Sequence, residues 1–255
     1  MHDKQAVSAT VTLASPLVWL ARGWRDLRHA PLPGLLHGLI ASLFGAFLFA
    51  VAGERFWLLA GAFSGFMLVA PVVATGLYGV SRGLEQGREV GLREVLALWR
   101  SRDARLVGFG LLLGLAGTAW VLTSASLLVL LAPAPINGPA DFLRLVVLAD
   151  SPFLFELWML IGGLLAAPVF ASSVLTLPML VDRDCSLGIA VRASWRAVAD
   201  YPLVMAFWAI LIVLLVTLGL LTWLIGLLVV VPLLGHASWH AYRALGPAAG
   251  SQGGL

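Results

Sequence analysis

Two histidines stand four residues apart in Gly235-His236-Ala237-Ser238-Trp239-His240-Ala241-Tyr242-Arg243. On a helix that spacing puts both imidazoles on one face. Such a pair can chelate a metal ion, or one member can ligate haem. His236 and His240 are therefore the candidate ligands for a metal or haem cofactor. A metal needs further donors, and Asp182, Asp184, Cys185, Glu85 and His37 are the available ones, without diagnostic spacing. The competing reading is an anchor at a membrane interface, with Trp239, Tyr242 and Arg243 at headgroup depth.

Other chemistry is thin. There is no His-Glu-x-x-His, no Gly-x-Ser-x-Gly and no phosphate-binding glycine loop. The glycines at Gly108 and Gly110 fall inside an apolar run, so they make no nucleotide site. No catalytic residue is expected, and the protein reads as a non-enzyme. Ser172-Ser173 beside Pro168 could line a small cavity, although such hydroxyls more often bond their own helix or a neighbour.

The elements that would position these residues follow from composition. Of 255 residues, 60% are hydrophobic and 11% charged. Mean hydropathy is +0.97. Soluble domains carry roughly 25% charged residues. A water-soluble enzyme is excluded, and a polytopic membrane protein remains. The net charge of +3 has a topological reading, because the arginines cluster in particular loops; no nucleic-acid partner is implied. The single Cys185 excludes an intramolecular disulfide. Met1–Ser15 lacks the apolar core and cleavage site of a signal peptide, so the first span is expected to remain as an anchor.

A crossing needs about 20 apolar residues. Six are expected, near Leu32–Ala52, Phe56–Val80, Leu106–Ala132, Phe153–Val181, Leu203–Gly219 and Leu221–Ala241. The last two form one apolar stretch, divided near Gly219-Leu220-Leu221-Thr222. Only Arg55 and Arg144 of the 16 Lys and Arg fall in the loops opposite the basic ones. That bias predicts both termini in the cytoplasm. No charged residue lies near the middle of a span, where ion-coupled transporters and voltage sensors place them; Glu156 sits near the outer end of span four.

Short amphipathic segments precede three spans. In Ser15–Arg28, Ser15 can cap, Pro16 suits the first turn, and Leu17, Leu20, Trp24 and Leu27 share a face. Gly91–Arg102 and Leu187–Asp200 are similar. These read as helices lying in the membrane surface. Their anchors are Trp24-Arg25, Trp99-Arg100 and Trp195-Arg196.

The segments repeat. Trp24-Arg25-Asp26-Leu27 matches Trp195-Arg196-Ala197-Val198, and at the same separation Pro31-Leu32 matches Pro202-Leu203. Each even-numbered span carries a glycine, a proline and a small residue in fixed register. The sets are Gly65/Pro71/Ala74, Gly162/Pro168/Ala171 and Gly226/Pro232/Gly235. Three units of surface helix, crossing and proline-bearing crossing result, over about 16–82, 91–183 and 187–243. Each proline removes a backbone hydrogen bond and bends its helix. The small residues admit a close neighbour. The three proline helices are expected to pack at the centre.

Three stretches carry a resemblance: Ala70–Tyr78 with Ser81-Arg82, Pro178–Arg183, and Val231–Arg243. Together they resemble the bacterial integral-membrane family known as domain of unknown function 2189, over about Pro16 to Arg243. Some members carry a label naming them cytochrome c oxidase subunits. The resemblance implies at most an accessory association with a respiratory oxidase and no catalytic residue.

The expected fold is an all-α polytopic membrane protein. Residues 16–243 form one six-helix membrane domain with surface helices and a threefold repeat. Residues 1–15 form a flexible segment and 244–255 a disordered tail. The expected location is the bacterial inner membrane. The expected role is an accessory or assembly subunit beside other membrane-protein subunits. The alternatives are a transporter or channel for a small neutral or lipidic molecule, with a cavity near Pro71, Pro168 and Pro232, and haem or metal binding at His236 and His240.

Overall fold

A computed structural model describes residues 11–52, 72, 74–101, 103–149 and 153–246. The described residues are helical, with no strand among them. Helix α1 is Ser15–His29. Pro16 sits in its first turn, where a missing N–H is no loss. Ser15 does not cap it; its hydroxyl accepts the Thr12 N–H at 2.9 Å. Pro16, Trp19, Gly23 and Leu27 face the protein. Leu17 and Trp24 point outward. The apolar stripe expected of this helix is thus divided between two faces, because the packing neighbour selects Trp19 and Gly23 instead.

Helix α2 is Pro31–Ala52. Thr75–Glu85 forms α3 and Leu92–Arg100 forms α4. Helix α5, Ala104–Leu131, runs 28 residues. At about 1.5 Å per residue it exceeds the ~30 Å hydrocarbon core. A loop follows. Pro139–Phe142 is a short helix that continues into a π-helical turn at Leu143–Val147. The extra residue per turn lets Val146 bury with Leu128, Ile136 and Leu154.

Helix α6, Phe153–Ser173, and α7, Thr176–Asp182, are one apolar stretch with a break. Pro178 lacks the N–H that would close the turn onto Val174. The break frees the Leu175 N–H, which the Ser194 hydroxyl accepts at 3.1 Å. Helix α8 is Leu187–Asp200, α9 is Pro202–Leu221 and α10 is Leu227–Leu245.

Four described stretches are long and apolar enough to cross a membrane: Pro31–Ala50, Ala104–Leu131, Phe153–Asp182 and Pro202–Leu221. The expected span Phe56–Val80 lies largely outside the described residues. The expected span Leu221–Ala241 overlaps α10, which starts later, at Leu227, and ends in polar residues. The turn before it occupies Thr222–Gly226, a few residues after the expected division. Trp223 and Leu224 there have φ of 56° and 69°. Such angles cost a bulky residue about 1–3 kcal/mol. Ser42 on α2 holds the turn by donating to the Leu224 carbonyl at 2.9 Å.

Helix α10 is the central post. Helices α1, α2, α3, α7 and α9 all pack on it. Glycines let two of them approach backbone to backbone. A Cβ on Gly23 of α1 would stand 2.6 Å from the Ala237 nitrogen. One on Gly38 of α2 would stand 2.5 Å from the Leu228 carbonyl oxygen. On its other side, Trp208 of α9 and Trp19 of α1 meet edge to face at 5.7 Å beside Leu234, Ala237 and Ala241. Tyr78, Leu177, Met179, Ala193, Trp239 and Tyr242 form the second large apolar cluster.

Candidate functional site

The polar residues of α10 meet α1, α3 and α7 at one end of the bundle. Helix α3 turns Ser81 and Glu85 toward α10, and α1 supplies Asp26. The Ser81 hydroxyl donates to Asp26 Oδ2 at 2.7 Å and lies 2.7 Å from His236 Nδ1. His240 Nε2 meets the same Asp26 oxygen at 2.9 Å. One carboxylate thus gathers His240 directly and, through the Ser81 hydroxyl, His236, tying together three helices.

A second layer lies beside it. Trp239 Nε1 donates to Glu85 Oε2 at 3.2 Å, and Arg243 Nε donates to Glu85 Oε1 at 3.0 Å. The Tyr242 hydroxyl donates to Asp182 Oδ2 at 2.7 Å and accepts from Arg183 Nε at 3.0 Å. Arg82 donates to the Val181 carbonyl at 2.8 Å and pairs with Asp182 at 3.4 Å. Arg105 bridges Asp103 to Asp184 and to the Cys185 carbonyl.

The electrostatics follow from this arrangement. Burial opposes the charged form of Asp26, yet the bonds from His240 and Ser81 and the nearby imidazoles outweigh it, so its pKa falls below 3.8. Burial pushes the Cys185 thiol up, and Arg105 and Arg183 only partly offset that. Such a thiol stays protonated and is a slow nucleophile.

His236 and His240 share a helix face as their spacing implies, but each is already engaged differently. His240 Nε2 faces Asp26, whereas His236 Nε2 is buried without a hydrogen-bond partner. Of the other donors considered, Asp182 and Glu85 bind Tyr242, Trp239 and arginines, and Asp184 binds Arg105. Among the described residues no group of three or more His, Cys, Asp or Glu is placed to hold a metal ion.

The anchor residues divide in two. Trp24, Trp99 and Trp195 are 45%, 40% and 47% exposed. Arg25, Arg100 and Arg196 beside them are exposed. Trp239 and Tyr242 are 0% and 1% exposed. They are core residues whose polar atoms bind Glu85 and Asp182, which corrects their reading as interfacial anchors. Arg243 is half-exposed on Glu85.

Of the packing set, Gly65 and Pro71 lie outside the described residues. Gly162 receives the Trp120 ring, which a Cβ would meet at 2.9 Å. Ala74, Ala171 and Gly235 are buried, and Gly235 packs on Leu77. Gly226 closes the turn against Gly219 and Thr222. Pro232 is buried beside α2, whereas Pro168 is exposed. These two prolines therefore sit in different settings. Pro168 and Ser172 line a shallow groove of about 290 Å³ with Phe109, Leu113 and Val191. Ser172 accepts the Trp195 indole N–H at 3.0 Å.

Sequence reasoning missed Asp26 and Ser81. In the sequence Asp26 stands out only as part of the Trp-Arg repeat. The signal was present: a lone acid among arginines, and a serine one helix face along from Leu77 and Tyr78.

Apolar helices of membrane length, joined at one end by a buried polar network, define an integral membrane protein. Residues 58–182 match the family described as predicted integral membrane protein (DUF2189). The match stops short of Val231–Arg243, which supplies His236, Trp239, His240, Tyr242 and Arg243. No curated protein and no solved structure matches the chain.

Proposed function

We propose that this is a six-crossing protein of the bacterial inner membrane with both termini cytoplasmic, acting without catalysis as an accessory or assembly partner of other membrane proteins. One observation carries the topology: the polar network joins four segments that the Lys/Arg bias assigns to one side. These are Asp26, Ser81 with Glu85, Asp182 with Arg183, and His240 with Arg243. Segments bonded to one another lie on one side, so an even number of crossings separates each pair. Helices α5 and α6–α7 supply two between Glu85 and Asp182. Helix α2 supplies one between Asp26 and Ser81, and the second of that pair is the span expected from sequence over Phe56–Val80. Helix α9 supplies one, which requires a return along α10.

The non-catalytic role rests on how the polar groups are used. Asp26, Asp182, Glu85, Tyr242 and the arginines bond to one another and tie helices together, where catalysis needs a group facing a substrate. The threefold repeat is supported by the outward Trp-Arg pairs on α1, α4 and α8. Gentle detergent extraction followed by native mass spectrometry tests the role. Added mass from a different chain is the expected result, and a bare monomer at every detergent tried refutes it.

A further inference from the structure

Helix α8 carries two arginines whose charge nothing offsets. Arg192 and Arg196 are exposed. Neither pairs with a carboxylate among the described residues. The arginines at the entry to α8 are already held: Arg105 by Asp103 and Asp184, and Arg183 by Tyr242. The one acid on α8, Asp200, is its last residue. A helix places Trp195 and Arg196, three and four residues beyond Arg192, beside it on the surface.

The same turn of α8 borders the groove of about 290 Å³. Val191, next to Arg192, lines it with Phe109 and Leu113 of α5 and Pro168 and Ser172 of α6. Ser172 is the single polar lining residue, and the Trp195 indole N–H is tied to it at 3.0 Å. Thr118, Thr123, Thr176 and Ser238 each donate to the carbonyl four residues back, a common use of a helical hydroxyl. Ser172 accepts from Trp195 instead, and its own proton has no acceptor among the described residues. An apolar channel, a free hydroxyl proton and two uncompensated arginines thus adjoin one another.

We propose that the groove between α5, α6 and α8 binds one anionic phospholipid. An acyl chain lies against Phe109, Leu113, Pro168 and Val191. The Ser172 hydroxyl donates to an ester carbonyl oxygen. Arg192 and Arg196 hold the phosphodiester, whose oxygens a guanidinium can bond in pairs. Trp195 stands beside them at headgroup depth. Basic pockets between crossing helices suit anionic head groups. A zwitterionic lipid sets its own cation against the two arginines, so the site selects net negative charge. Free phosphate leaves the groove empty. The proposal needs only the membrane-length helices α5 and α6, and it stands whether or not a partner chain exists.

The test uses the purified full chain, stripped of co-purifying lipid in a neutral detergent. Native mass spectrometry counts the lipid retained from equal mixtures of dioleoyl phosphatidylglycerol and dioleoyl phosphatidylcholine. One phosphatidylglycerol per chain is expected, in preference to phosphatidylcholine. Each arginine near the surface is worth about fivefold, so Arg192→Gln combined with Arg196→Gln lowers the preference about twenty-five-fold. Ala116→Trp fills the groove, which Ala116 also lines, and expels the lipid with both arginines intact. Arg93→Gln combined with Arg100→Gln, on surface helix α4, leaves retention unchanged. Equal retention of the two lipids by the wild type, or a preference that survives the α8 double substitution, overturns the proposal. So does an equal loss in the α4 variant, the mark of diffuse attraction to a basic surface. A preference that persists in Ala116→Trp overturns the acyl groove. Melting curves accompany every variant. Should Ala116→Trp fail to fold, the arginine pair decides, since both side chains are exposed and unpaired.

Discussion

Asp26 binds the Ser81 hydroxyl and His240 with a single carboxylate oxygen. Removing its charge weakens both bonds, because a neutral amide oxygen is a poorer acceptor than a carboxylate oxygen. Asp26→Asn is expected to lower stability by on the order of 2 kcal/mol, read as a fall in melting temperature in detergent. The pH dependence has a definite sign. Its folded pKa is depressed below 3.8. The stabilisation is therefore complete above that unfolded value and disappears as pH falls through the folded one. A melting temperature flat from pH 6 down to pH 3 in the wild type, with the same profile in Asp26→Asn, would contradict this. Tyr242→Phe tests the second layer: Asp182 and Arg183 lose a shared partner, for an expected loss of about 1–3 kcal/mol. At this scale the sequence was only half legible. The histidine spacing announced a polar face on α10. Which partner each ring met depended on contacts between residues more than 150 positions apart, such as Ser81 with His236 and Asp26 with His240. Separation along the chain, 154 positions to Glu85 and 60 to Asp182, also hid the burial of Trp239 and Tyr242. An aromatic beside an arginine at a helix end has the composition of an interfacial anchor, and only the presence of Glu85 and Asp182 turns it inward.

Helices were easier to read than their neighbours. Ser15–His29, Leu92–Arg100 and Leu187–Asp200 emerge where apolar periodicity and start signals predict them. In Leu92–Arg100 the Glu94 carboxylate accepts the Gly91 N–H at 2.6 Å, a start signal written in sequence. Continuous apolar runs hold less information, because a helix that is apolar all round does not say which side faces protein. The turn at Thr222–Gly226 shows another limit. Its left-handed positions are Trp223 and Leu224, where a reader looks for glycine or asparagine. The small-residue contacts on α10 give an element-scale prediction. Gly38→Val drives a side chain into the Leu228 backbone and is expected to cost about 1–3 kcal/mol or prevent assembly. Gly188→Ala, on surface helix α8 and touching only the end of Arg192, is expected to be neutral or to stabilise by up to ~1 kcal/mol. Parallel melting curves decide between them. Equal loss in both variants would show that close packing against α10 is not what Gly38 provides.

For the whole molecule, topology is the testable quantity. A phosphatase that works only outside the cytoplasm, fused after Gly138, should be active. Fused after Gln86 or Gly246 it should be silent, and activity at either site would sink the six-crossing reading. The slow Cys185 thiol makes an engineered exposed cysteine the better chemical reporter. Composition alone made the membrane class legible, since 11% charge cannot clothe a soluble surface. The network that gathers the loops was not legible, because each loop separately carries only scattered charge. The placement of α10 also has a consequence for biosynthesis. It follows every other described helix in the chain, yet α1, α2, α3, α7 and α9 all rest on it. While the ribosome is still translating, those helices enter the bilayer without their shared partner, with Gly23 and Gly38 facing an unfilled slot. Tertiary closure must then wait until α10 itself leaves the ribosome. Chains ending before Leu227 should insert but be cleared rapidly by proteases, and pulse-chase labelling of such a truncation measures that lifetime directly.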